Sequence, residues 1–265
     1  MKELKNKKTI YKDSYNFLFK ELKIVNPTLS DDQIKKVIDE KVSQNIDSID
    51  KVYELLLEIL QEHQMYPSVI KFYERKKDIE EYIGFPDLNK ISTLNSRELC
   101  EYFKTKYNST SKTCWSRYCD GIITGAKFLC EFKTIEELNQ KLNTCESDCE
   151  LIEMIKSKIK GMGYALACSF LKDLGYEEYL KPDTHVKCIC LELGLIKNKN
   201  DNYCCFKKMQ ELAEINNVKA YMLDRIFWMI CSNKVYETRT NEKIRIKLPG
   251  KKAKFINYLK RINKV

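Results

Sequence analysis

Between Glu150 and Leu193 the chain reads ELIEMIKSKIKGMGYALACSFLKDLGYEEYLKPDTHVKCICLEL, which brings together two closely spaced glycines, an aspartate behind a proline and one of the two histidines. Gly161 and Gly163 flank Met162 directly after Lys160, between an apolar-periodic helix ending near Ile159 and a second one starting at Tyr164. Two such glycines allow a tight turn with positive φ and, lacking a Cβ, let a ligand approach the backbone. Amides at the start of the second helix point outward, and the helix dipole favours negative charge there. The chemistry on offer is therefore anion binding, and a nucleic-acid phosphate fits it. The same spacing also serves a plain sharp turn. Downstream, Pro182 holds Lys181 out of the helical region. That leaves Asp183 at the N-cap of a third helix, with Thr184 and His185 in its first turn.

The elements that must position these residues are helical. Only 8 glycines and 5 prolines in 265 residues leave few tight turns for an all-β protein, while the 43% hydrophobic content suffices for a core. One amphipathic helix is expected over residues 1–25, stopped by Asn26-Pro27, and a second from Ser30 through Val42. A very apolar third runs from near Asp47 to about His63. Asn95 and the Thr134–Glu137 capping box start further helices, and another covers Cys114 to Cys130 after a Ser- and Thr-rich loop. Helices follow at Cys204–Glu214 and around Tyr221–Trp228. Ten or so short helices with short connectors predict an irregular all-α fold.

Charge is unevenly placed. From Arg239 to Val265 there are ten Lys or Arg and one acid, Glu242, so the excess in this stretch equals the formal +9 of the whole chain. Such a patch suits phosphate or an acidic surface, or serves as a solvated tail. Twelve cysteines sit largely inside apolar helical patterns and read as reduced, mostly buried thiols. With no export signal and no bilayer-length apolar run, the reading is of an intracellular protein of the cytoplasm or nucleoid, without a membrane partner.

The glycine pair and the aspartate together resemble the helix-hairpin-helix superfamily of DNA glycosylases, which includes endonuclease III, adenine glycosylase and the 8-oxoguanine glycosylases. There a hairpin of the form apolar-x-Gly-apolar-Gly is followed, about twenty residues after its second glycine, by an aspartate at a helix start. Ile159-Lys160-Gly161-Met162-Gly163 and Asp183 match that form. Asp183-Thr184-His185-Val186 is similar to the endonuclease III version, while IKGMGYALACSFLKDLGY and LDRIFWMICSNKVY resemble the archaeal-type 8-oxoguanine glycosylases. The resemblance is specific over about 150–195, weaker over 221–236, compatible from 47 to 149, and does not cover 1–45.

The resemblance implies an all-α, two-domain glycosylase fold with the active-site cleft between the domains. Residues 47–180 would form a helical barrel that includes the hairpin at about 150–175, and residues 1–46 would pack with the C-terminal helices of 181–265. The partner would be double-stranded DNA carrying a damaged or mismatched base, with oxidised guanine first. Lys160, Gly161, Met162, Gly163, Tyr164 and Ala165 would bind its phosphates. Asp183 would stabilise the oxocarbenium ion and orient water, with His185 in support. Trp115, Tyr118, Tyr164 and Trp228 are candidates for the base pocket. Bifunctional members carry a lysine two positions after the second glycine, where this chain has Ala165. A monofunctional hydrolase is therefore expected. The alternatives are a DNA-binding module without turnover and a lyase with a relocated lysine. No iron–sulfur cluster is expected, because Cys231 alone follows Trp228, and Cys188, Cys190, Cys204 and Cys205 read as ordinary thiols. His63 lies far from His185, so no metal set is expected beyond a Na+ or K+ ion at the hairpin carbonyls. The oligomeric state has no signature.

Overall fold

Helices begin where the sequence supplies caps. Ser30 and Gln33 close a reciprocal capping box: the Ser30 amide donates to Gln33 Oε1 at 2.8 Å and the Gln33 amide to Ser30 Oγ at 3.2 Å. Asn95 Oδ1 accepts from the amides of Arg97 and Glu98, and Thr134 Oγ1 from that of Glu137. Each cap satisfies amides that have no partner within the helix. The structure, a computed structural model, describes residues 7–39, 46–63, 66–232, 234–236, 245–248 and 250–263. Residues 1–6 of the first expected helix and Val42 of the second lie outside the described residues.

In chain order the helices are α1 (Ile10–Val25), α2 (Asp31–Asp39), α3 (Ile49–Leu60), α4 (Tyr66–Ile70), α5 (Phe72–Ile83), α6 (Leu88–Ser92), α7 (Ser96–Lys106) and α8 (Lys112–Leu129). They continue as α9 (Ile135–Leu142), α10 (Asp148–Lys158), α11 (Tyr164–Asp173), α12 (Thr184–Glu192), α13 (Asn202–Ile215) and α14 (Ala220–Ser232). A short ribbon of β1 (Lys234–Tyr236) and β2 (Arg245–Lys247) then precedes α15 (Lys251–Asn263). The fold is all-α. The chain divides into one unit of Gln44–Leu174 and another of Met1–Ser43 with Gly175–Val265. The sequence reading expects its divisions near 46 and 180.

In the unit spanning Gln44–Leu174, α8 is the central element and packs against α3, α6 and α7. It manages this through glycines. A Cβ on Gly121 would stand 2.7 Å from the Leu60 side chain and 3.0 Å from the Lys160 carbonyl, and one on Gly125 would stand 2.1 Å from Leu56 Cδ2. The glycine face of α8 thus admits both α3 and the chain leaving α10. The buried tyrosines satisfy their hydroxyls on backbone, Tyr53 on Ile122 O and Tyr118 on Leu57 O.

The other unit is held across long sequence separations. The Tyr11 amide donates to Asn216 Oδ1, Asn216 Nδ2 to Lys7 O, and Arg225 Nη2 to Val37 O. Here the structure corrects the reading of the basic C-terminal stretch as charge alone. Val235 pairs with Ile246 in an antiparallel ribbon, and Leu248, Phe255, Ile256 and Leu259 are buried. The Phe255 ring meets Phe17 at 5.1 Å and Phe227 at 5.8 Å. Lysines surround these apolar positions closely enough to hide them in a composition count. Of the ten basic residues in the stretch, Arg239, Lys243 and Lys264 lie outside the described residues.

Glu21 ties α1 to α15. Its carboxylate is 4% exposed and pairs with Lys251 at 2.5 Å and with Lys254. Burial pushes this carboxyl up, but the two lysines outweigh burial, and its pKa lies below the ordinary 4.5. A depressed folded-state value contributes stability that is present above the unfolded value and lost as pH falls through the folded one. Acidification below about 4.5 should therefore raise hydrogen exchange in α15 of the wild type. Glu21→Gln should show faster α15 exchange at neutral pH and little further acid dependence.

Candidate active site

The hairpin lies in the unit spanning Gln44–Leu174. Ser147 caps α10 by accepting from the Glu150 amide, and the helix ends at Ile159, whose extended backbone (φ −118°, ψ 105°) turns the chain away. The Lys160 amide then donates to Thr124 Oγ1 at 2.9 Å, while that hydroxyl donates back to Asp120 O. The turn closes with the Met162 amide on Ile159 O at 3.2 Å.

The two glycines differ in kind. Gly161 adopts φ +83°, and a Cβ there would stand 3.0 Å from the Arg117 carbonyl, so both its dihedral and its packing exclude a side chain. Gly163 caps α11 at φ −80°, ψ 171°, which any residue adopts, and nothing lies within 4 Å of where its Cβ would be. The fold around Gly163 does not require a glycine. Lys160 is exposed, Met162 is buried as the apolar plug of the turn, and Tyr164 and Ala165 are half-buried in the first turn of α11. Lys156 Nζ lies 5.8 Å from the Tyr164 ring centre.

Asp183 lies in the other unit. Lys181 and Pro182 lie in no helix or strand, and the Asp183 amide donates to Lys181 O at 2.7 Å in a tight turn across Pro182. The Lys181 amide is fixed by Asp224 Oδ2 at 3.1 Å, a buried acid of α14. Asp183 caps α12 with one oxygen only: Oδ1 accepts from the amides of His185 at 2.7 Å and Val186 at 2.9 Å. No described residue donates to Oδ2. Capping therefore uses one oxygen of a half-buried carboxylate and leaves the other without a donor among the described residues. His185 is half-buried, and its Nδ1 is enclosed without a hydrogen-bond partner among the described residues.

Other candidates fall elsewhere. Trp115 and Tyr118 are 0% and 1% exposed, in the core of the Gln44–Leu174 unit. Trp115 stacks on Tyr107 at 5.4 Å and meets Tyr118 edge-on at 6.2 Å. Neither offers an open ring face, and both serve as core in this arrangement. Trp228 is half-buried on α14. All twelve cysteines are free. Burial pushes the Cys231 thiol up to about 12, so it stays protonated and inert as a nucleophile near neutral pH. No group of three or more His, Cys, Asp or Glu side chains able to hold a metal occurs among the described residues, and no described helix is long and apolar enough to cross a membrane. Sequence reasoning missed Thr124 and Asp224, which hold the hairpin and the Asp183 segment in place. The available signals were a Gly121–Gly125 spacing around Thr124 on one helix, and a lone acid within the apolar run YMLDRIFW.

The family model described as 8-oxoguanine DNA glycosylase matches residues 88–222, a span that takes in both the hairpin and Asp183. The chain belongs to that family. It is accordingly a DNA N-glycosylase of the helix-hairpin-helix superfamily, of the type concerned with 8-oxoguanine repair. No protein of curated function matches it. Among solved structures it is similar to the 8-oxoguanine glycosylase/lyase of Methanocaldococcus jannaschii in complex with a 15-mer DNA containing 8-oxoguanine. That match has a TM-score of 0.53 at 21% identity and covers 83% of this chain and 99% of that one. The 8-oxoguanine DNA glycosylase of Thermotoga maritima matches with a TM-score of 0.51 at 17% identity, over 86% and 99%. At these identities the two structures establish the fold.

Proposed function

We propose that the protein is a monofunctional glycosylase that releases 8-oxoguanine from double-stranded DNA by hydrolysis. The carrying observation is Asp183, whose Oδ1 caps α12 while Oδ2 accepts no hydrogen bond from a described residue. As the N-glycosidic bond breaks, its electron pair leaves with the base and the deoxyribose gains oxocarbenium character. The Asp183 carboxylate stabilises that cation and accepts a proton from the water whose oxygen bonds to C1′; the departing base is protonated in turn. The amides after Gly163 bind a backbone phosphate, and Lys160 adds charge beside them. Tyr164 and Trp228 are each only half-buried, and either ring is suited to stack an extruded base.

Ala165 supports hydrolysis over lyase chemistry, since no amine stands at that position to form a Schiff base. The carbonyls of Gly161 and Met162 accept no hydrogen bond from a described residue, and neutral oxygens of that kind suit a Na+ or K+ ion. A second reading, a lyase with a relocated lysine, draws on the glycosylase/lyase activity of the M. jannaschii protein and on the exposed Lys160. One assay separates them. A duplex with a single 8-oxoguanine should be nicked only after alkali, and borohydride should trap no covalent adduct. Nicking without alkali together with a trapped adduct would establish the lyase. Absence of base release from this and every other lesion duplex would leave a DNA-binding module.

A further inference from the structure

Outside the residues matched by the family model, α1 and α15 enclose a groove of about 500 Å³. Its floor is aromatic: Phe17 and Tyr258 meet at 5.5 Å between ring centres. At one end stands Ile24, 64% exposed, followed on the same helix by Val25 at 38%. These are two of only six large hydrophobic side chains exposed among the described residues. Lys20 and Arg261 line the same groove, both exposed and without an ion pair to any described residue. The one acid lining it, Glu21, is buried and already paired with Lys251 and Lys254. The groove therefore combines an apolar floor with uncompensated positive charge.

We propose that this groove docks a protein partner through an acidic segment carrying a bulky apolar anchor. Exposed apolar surface rimmed by charge marks interaction sites, and charge complementarity across such a rim selects the partner and speeds encounter. Ile24, Phe17 and Tyr258 would receive the anchor, while Lys20 and Arg261 would meet flanking carboxylates. A DNA backbone fits less well, because it carries nothing apolar to cover Ile24. The inference stands on residues outside the catalytic machinery and does not depend on the reaction assigned above.

The test uses the full chain and three short fluorescein-labelled synthetic peptides followed by fluorescence anisotropy. One carries Glu and Asp around a pair of leucines, the second has both leucines replaced by serine, and the third has every acid replaced by lysine. The first should bind about tenfold or more tightly than either control. Ile24→Asp should abolish that preference, and the double variant Lys20→Glu, Arg261→Glu should transfer it to the lysine peptide. Base release from a short lesion duplex should be unchanged in all variants. Equal binding of the three peptides, or binding of none, overturns the proposal. So does displacement of the acidic peptide by undamaged duplex DNA that itself binds less well to the double variant, which would make the groove a DNA surface.

Discussion

Asp183→Asn is expected to slow base release by about 10²- to 10⁴-fold while leaving the fold nearly unchanged. Asparagine caps helices about as well as aspartate. Its carbonyl can take over the two bonds that Oδ1 now accepts from the His185 and Val186 amides. What changes is the other position: an unengaged carboxylate oxygen becomes a neutral amide NH₂, which can neither accept a proton nor stabilise a cation. Asp183→Ala is the complementary variant. It should lose the same activity and also about 1 kcal/mol of stability, because the cap is gone. Single-turnover release of 8-oxoguanine, with thermal melts of each variant, reads both effects. An Asn variant as active as wild type would remove Asp183 from the reaction.

The aspartate was legible because its signals are local. A proline forces the preceding residue to extend, a cap residue follows, and twenty residues upstream a glycine pair sits between two periodic helices. Helix starts at Ser30, Asn95 and Thr134 were legible for the same reason. What could not be read depends on tertiary partners. Thr124 matters because a hairpin amide lands on its hydroxyl, and Asp224 because Lys181, outside any helix, brings an amide to it. Nothing in either residue's own neighbourhood names that partner. Trp115 fails in the opposite direction. A tryptophan after a polar loop suggests an exposed ring, yet the loop leads into α8, whose inner face closes against Phe103 and Tyr107. The C-terminal stretch shows how composition misleads: its lysines are numerous, but Phe255, Ile256 and Leu259 decide where α15 goes.

The two hairpin glycines should respond to alanine in opposite ways. Gly161→Ala must hold a Cβ at φ +83°, which costs about 1–2 kcal/mol for an L-residue, and it must also push against the Arg117 carbonyl at 3.0 Å. Because that carbonyl belongs to the backbone of α8, relief requires the turn itself to move. Urea unfolding should therefore show a loss of at least that size, and activity should fall with it. Gly163→Ala meets no such obstacle, since its dihedrals are ordinary and its Cβ enters open space. Alanine is a poorer N-cap than glycine but restricts the unfolded chain, and the two effects largely offset in stability. Its cost should appear only when DNA is present. A methyl group on the face where a phosphate must approach the α11 amides should weaken duplex binding about tenfold, and the salt dependence should lose about one phosphate contact. A Gly163→Ala protein of normal stability and normal affinity would show that the open space beside this residue is not where DNA binds. A stable protein with weakened, less salt-dependent binding would tie that glycine to the ligand and Gly161 to the fold.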